Sequence, residues 1–187
     1  MKRKEEFPMG YKMNYDRSRA LTYARTWAFG RNPLFLNFAG IGGDCTNFVS
    51  QCVYAGCCVM NYAPTFGWYY ISADDRAPAW TGVQYFYNFM TANEGAGPYA
   101  SEVDAAETLP GDVVQLARDD GAFAHSLLIT GRSGSELLVA AHSDDAYDRP
   151  LSEYAFPIRR FLHIRGCRVP LYGGDSCFNA LLSGKSL

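Results

Sequence analysis

The chain has 187 residues, 48% of them hydrophobic and 19% charged, with a formal net charge of −2. That length carries one domain with a real core, and the composition excludes a disordered chain. The near-neutral charge and scattered arginines leave no basic field for nucleic acid, and no apolar run approaches the roughly 18 residues of a membrane span.

The opening "MKRKEEFPMGYKMNYDRSRA" carries positive charge without an apolar stretch. It does not read as a secretory leader, and at face value the chain stays in the cytoplasm. Residues 1–14 form an extension. Asn14 or Asp16 can cap a first helix that runs to about Phe29, with Ala20, Ala24, Trp27 and Ala28 on one face. Gly30 fits its exit, and Asn32-Pro33 blocks continuation.

The stretch "GIGGDCTNFVSQCVYAG", residues 40–56, predicts the next helix. Phe48, Val49, Cys52 and Val53 recur at helical intervals, and Asp44 is placed as the N-cap. Cys45 then sits in the first turn, where free N–H groups and the macrodipole favour a thiolate. The alternative is a small buried hydrophobe.

Residues 59–80 read as a loop with a rich aromatic set. Trp68, Tyr69, Tyr70 and Trp80 either line a substrate groove or pin the loop to the core; the sequence leaves both open. A third helix spans about Gly82 to Ala92, with Val83, Phe86, Tyr87 and Met90 at helical spacing. From Leu109 the texture changes to short apolar runs, "LPGDVVQLA", "HSLLITG", "ELLVAAHS" and "RRFLHIRG", with a hairpin loop at "GRSGSE". Helices followed by an antiparallel meander make an α+β fold. The tail from residue 167 reads as an extra segment laid on the surface.

The six cysteines are Cys45, Cys52, Cys57, Cys58, Cys167 and Cys177. Their spacing suits no metal site, so none is expected. Cys52, Cys57 and Cys58 are expected to be unpaired packing residues, and Cys167–Cys177 is a candidate bridge.

A cysteine nucleophile needs a base, and the base needs an orienting group. His125 opens one strand and His142 ends the next, so the two can meet at one rim of the sheet. With Cys45 at the same rim they form a nucleophile, base and orienter row. Asp144 and Asp145 are rivals for the third role. His163, inside a strand pattern, is structural. The backbone N–H of Cys45 is the first oxyanion donor, with Asn32, Asn37 and Gln51 weaker candidates for a second.

The order of these motifs resembles the "Putative amidase domain" family of the papain-like NlpC-type and CHAP cysteine peptidase–amidase superfamily. "YDRSRALTYARTWAFGRNPLFLNF", "GGDCTNFVSQCVYAG", "GWYY", "PAWTGV", "HSLLITG" and "HSDDAYDRPLSEY" carry it, over residues 15–166. The resemblance implies a papain-like fold, with Cys45 as nucleophile, His125 as base and His142 at the third, polar position. It implies hydrolysis of an amide bond in a peptide or peptidoglycan-like substrate through an acyl-thioester, without a cofactor. The alternatives are an acyltransferase on the same site, a non-catalytic peptide-binding module, and a disulfide-stabilised structural domain.

Overall fold

The first helix, α1 (Arg17–Trp27), starts where the Asp16 carboxylate accepts the Arg19 backbone N–H at 3.0 Å. Its buried side is Ala20, Tyr23 and Ala24, small enough to let it lie close against the next helix. In this computed structural model, which describes residues 10–170 and 177–185, that neighbour is α2 (Cys45–Cys57). Every residue of α2 is buried, so it is the central rod of the molecule. Gly56 is required where the two helices meet: a Cβ there would lie 2.2 Å from the Tyr15 ring. A short helix, α3 (Pro78–Thr81), leads into α4 (Val83–Ala92), which buries Phe86, Phe89 and Met90.

The sheet has seven antiparallel strands, more than the four read from the sequence. Beyond β3 (Val113–Ala117), β4 (Phe123–Ser133), β5 (Glu136–Ala141) and β7 (Ile158–Val169), it contains β1 (Tyr11–Met13), β2 (Gly97–Val103) and β6 (Ala146–Pro150). The path is β1-β7-β3-β4-β5-β6, with β2 also paired to the long β7. Alternation splits the strands between two cores. Val113, Leu128, Ala140, Leu162 and Ile164 face α2. Val114, Leu116, Leu127, Ile129 and Val139 face the other way, under Leu151 and Tyr154.

Here one open alternative is decided and two expectations are corrected. Trp68, Tyr70 and Trp80 are buried, leaving Tyr69 as the half-buried member of the set. Their rings stack on one another and on α2, with Trp68 Nε1 donating to Ser50 Oγ at 3.0 Å and Trp80 Nε1 to Asn47 Oδ1 at 2.9 Å. These indoles bring apolar area and a polar handle to the helix, which suits a core better than a groove. The C-terminal segment is no surface addition either. Cys167 is buried within β7, and α5 (Phe178–Ser183) sinks Leu181 into the main core. Finally, Cys58 is not a packing residue: it is bonded to Cys177, so the Cys167–Cys177 bridge does not form.

Candidate active site

The chain reaches α2 through Gly40, Gly42 and Gly43, all at positive φ, a region open to glycine at little cost. Cys45 is the first residue of α2 and is 7% exposed. The first intrahelical bond runs from the Phe48 N–H to the Asp44 carbonyl at 3.0 Å. The N–H groups of Cys45, Thr46 and Asn47 therefore precede the helix ladder, and no side chain caps them. That is the donor arrangement an oxyanion requires, beside the one thiol of α2 that lies at its N-terminus.

Asp44 does not cap the helix, contrary to expectation. Its carboxylate turns away and accepts the Phe38 N–H at 2.9 Å, Asn47 Nδ2 at 2.8 Å and His142 Nδ1 at 2.7 Å, with Arg31 Nε at 3.2 Å. Burial pushes the Asp44 carboxyl up, but the bonds from His142, Phe38 and Asn47 outweigh it and leave its pKa below the ordinary value. The charge that would oppose a Cys45 thiolate is thus neutralised by its neighbours.

His142 is the largest departure from the predicted row. Its Nδ1 meets Asp44, and its Nε2 meets the Trp27 carbonyl at 2.8 Å. Both ring nitrogens are engaged by these partners, and neither is left to orient His125. The ring also stacks on Phe48 of α2, centroids 3.9 Å apart. Two more residues of the "HSDD" turn follow suit. Ser143, at φ 78, accepts the Asp44 N–H on Oγ at 3.0 Å, and Asp145 grips Arg31 through two bonds of 2.8 and 3.0 Å. His142, Ser143 and Asp145 clamp the residue before Cys45 rather than the base.

His125 faces elsewhere. Its ring lies 6.1 Å from Tyr154 and 6.2 Å from Phe156, against the second core, and Leu116 of that core is its partner across β3. No hydrogen bond joins it to Cys45 Sγ, whose polar neighbour is Thr46 Oγ1 at 3.8 Å. What does link the two elements is the Thr46–Ser126 hydroxyl pair, 3.0 Å apart, one residue beyond each. Burial pushes the His125 pKa down, while the charge of Asp144 opposes the shift. Asp144 itself is bonded to Arg149, whose guanidinium lies over the Tyr154 ring. Of the two rival carboxylates, Asp145 is tied to Arg31, and the charge of Asp144 is the one that bears on the His125 pKa.

A β-bulge explains why the two histidines part. Near the hairpin Ser133 pairs with Glu136 and Gly131 with Leu138, but beyond the bulge at Thr130 Ile129 pairs with Val139 and Leu128 with Ala140. The register slips by one, and a slip of one exchanges faces. Continued, it sets His142 opposite Ser126 on the α2 face and leaves His125 on the other.

The remaining candidates are accounted for. Asn32 donates to Tyr23 and to the Leu181 carbonyl, which occupies its amide, and Gln51 is buried and accepts from Tyr23. Asn37 serves its own loop, accepting from Ala39 N–H and Arg31. His163 is structural as read, its Nδ1 held by Asp112 at 2.7 Å beside Arg17. Sequence reasoning passed over Arg31, Ser143, Thr46 and Ser126; the bonds Arg31–Asp145, Ser143–Asp44 and Thr46–Ser126 span chain separations of 80 to 114 residues. Among the described residues no three His, Cys, Asp or Glu gather as metal ligands, and no helix is long and apolar enough to cross a membrane.

Residues 14–164 match the family described as "Putative amidase domain". The chain belongs to that family. It is also 34% identical, over 147 residues, to "Uncharacterized protein YhbB" of Bacillus subtilis (strain 168). That match covers 76% of this chain but 46% of the relative, so the chain spans about half the length of the curated relative it matches. No solved structure matches.

Proposed function

We propose that this protein hydrolyses an amide bond through Cys45, forming an acyl-thioester that water then resolves. One observation carries the reading: Cys45 opens a buried helix with its first-turn N–H groups uncapped and the adjacent Asp44 charge neutralised. Attack by the thiolate at a carbonyl would place the developing oxyanion beside those donors. His125 is proposed as the base. Burial keeps its imidazole neutral near pH 7, and Asp144 supplies the carboxylate that steadies the imidazolium after proton transfer. To receive the Cys45 proton, the start of β4 must turn His125 toward α2. The register irregularity where Ala117 meets Phe123 lies next to it, and strand ends turn most readily at such points. The papain-like fold and a peptide or cell-wall peptide substrate are proposed on the resemblance alone.

A second reading is a peptide-binding module without turnover. The observation favouring it is that, among the described residues, no hydrogen bond joins Cys45 Sγ to a histidine nitrogen. An acyltransferase would share the acyl-enzyme and differ in the acceptor.

The deciding experiment incubates the protein with a mixed pool of peptide amides and cell-wall peptide fragments and follows products by mass spectrometry. Fragments that have gained water with the native protein, absent with Cys45→Ala, are the expected result. Cleavage that survives Cys45→Ala ends the thiol mechanism, and retention of uncleaved peptide by both proteins establishes the binding module.

A further inference from the structure

The hold that makes His163 structural uses only one of its ring nitrogens. The fully buried Asp112, just before β3, accepts from Arg17 Nη1 at 2.7 Å, the Leu109 N–H at 2.8 Å and the Ile164 N–H at 2.9 Å. His163 Nδ1 lies 2.7 Å from the same carboxylate. A carboxylate accepting from three such donors leaves the proton on Nδ1, so the lone pair of the neutral imidazole is on Nε2. Nε2 has no partner among the described residues, and the His163 side chain is 15% exposed. It lines an open depression of about 340 Å³ together with Asn14, Arg17 and Arg165. Arg17 uses its Nη groups on Pro110, Asp112 and Ile164, which leaves Nε; Arg165 uses Nε on Ser101, which leaves both Nη groups. Asp16, the neighbouring carboxylate in the chain, is turned to Arg19 and to the start of α1. The Asp16 N–H donates to the Gly56 carbonyl at 2.9 Å, so this corner lies at the C-terminal end of α2, roughly 16 Å along the helix from Cys45.

We propose that this depression is a binding site for hydrogen phosphate. Two guanidiniums face it, and the one carboxylate beneath them is already held by its own donors, so the opening carries positive charge. Arg17 Nε and the Arg165 Nη groups can donate to phosphate oxygens as charge-assisted bonds. Nε2 supplies the selectivity. As an acceptor it needs a donor from the ligand, and hydrogen phosphate is an anion that still carries a hydroxyl. Sulfate, or a phosphate monoester that has lost its last proton, offers the same charge but only oxygen lone pairs, which would face the lone pair of Nε2.

The test follows the histidine ring resonances by NMR while the native protein is titrated with inorganic phosphate, sulfate or glycerol phosphate. Constant ionic strength and about pH 8 make all three dianions, since a monoester loses its second proton near pH 6. The expected result is a saturable shift of the His163 signals with phosphate while those of His142 stay in place. Phosphate should bind at least about tenfold more tightly than either comparator, the worth of one charge-assisted hydrogen bond. Arg165→Gln, at an exposed position, should weaken phosphate by about the same factor; Arg17→Ala is avoided because it would strip a partner from buried Asp112. Equal binding of the three dianions would reveal an unselective positive patch and overturn the proposal. So would His163 signals that fail to shift, or a phosphate affinity that ignores Arg165→Gln.

Discussion

The two ends of α2 begin and finish the same buried helix, yet they are held by opposite means. At the N-terminal end the fixings are polar: Asp44 gathers Arg31, His142, Asn47 and the Phe38 N–H around one carboxylate. At the C-terminal end they are covalent and apolar: Cys58–Cys177 ties in α5, and Leu181 is buried beneath it. A polar clamp leaves the helix start open enough to keep its N–H groups unpaired. A disulfide and a greasy plug close the other end. The proposed chemistry lies at the first end and the covalent tie at the second.

Exchanging function for stability at each end is the strongest way to break that contrast. Cys45→Ser should abolish turnover and leave the unfolding midpoint nearly unchanged, because one sulfur is replaced by oxygen at a helix start. Cys177→Ser should do the reverse, retaining turnover while costing about 2–5 kcal/mol, as loss of a native bridge does. Denaturant unfolding and product assays on both variants read this directly. Loss of turnover in Cys177→Ser with the fold intact would couple the two ends.

Asp44→Ala strands Arg31 and His142 in a buried setting. The expected loss is about 3–5 kcal/mol, the cost of breaking one side of a buried charged cluster. The Asp44 pKa is depressed, so the stability it contributes is present above the unfolded value near 3.8 and fades as pH falls through the folded value. Acid titration of the native protein should therefore hold steady above that point for this group, and Asp44→Asn should flatten the acid loss.

A finer test concerns the base. Burial lowers the His125 pKa and Asp144 raises it. The acid limb of kcat/KM should lie below the ordinary histidine value of 6.5, since the imidazole must be neutral to act. Removing the Asp144 charge in Asp144→Asn lowers the pKa further, so the acid limb moves to lower pH. His142→Ala should leave the limb in place and lower stability instead. A limb that follows His142 would return the orienting role to that residue.

A last test separates core from surface in the aromatic loop. Trp80→Ala should cost about 3–5 kcal/mol, whereas Tyr69→Ala should stay within roughly 0.5 kcal/mol on stability. A rise in KM from Tyr69→Ala would show that the one half-buried ring of the set touches substrate.

How much of this was legible depends on the range of the interaction. α1, α2 and α4 announced themselves by apolar periodicity, and Cys45 at a helix start followed from local residues alone. The strand at Gly97–Val103 was missed because "GPYASEV" opens on Gly-Pro and lacks an apolar run. The short β1 and the polar β6 gave even less signal. Adjacency of the strands bearing His125 and His142 was readable from the hairpin, but their faces were not. Without the bulge at Thr130 the register of Ser133 with Glu136 would have put both on one side. That single extra residue reassigns His142 from orienter to clamp, and nothing in "HSLLITG" marks it. The Cys58–Cys177 pairing was likewise hidden by 119 residues of separation.

The central claim is that Cys45 is the reactive thiol and that His125 activates it. Native-state alkylation with iodoacetamide, followed by mass spectrometry across pH, tests it without knowing the substrate. The account predicts that Cys45 is labelled well before Cys52, Cys57 and Cys167, and that His125→Ala slows its labelling. Equal or slower labelling of Cys45, or a rate that ignores His125→Ala, would contradict it.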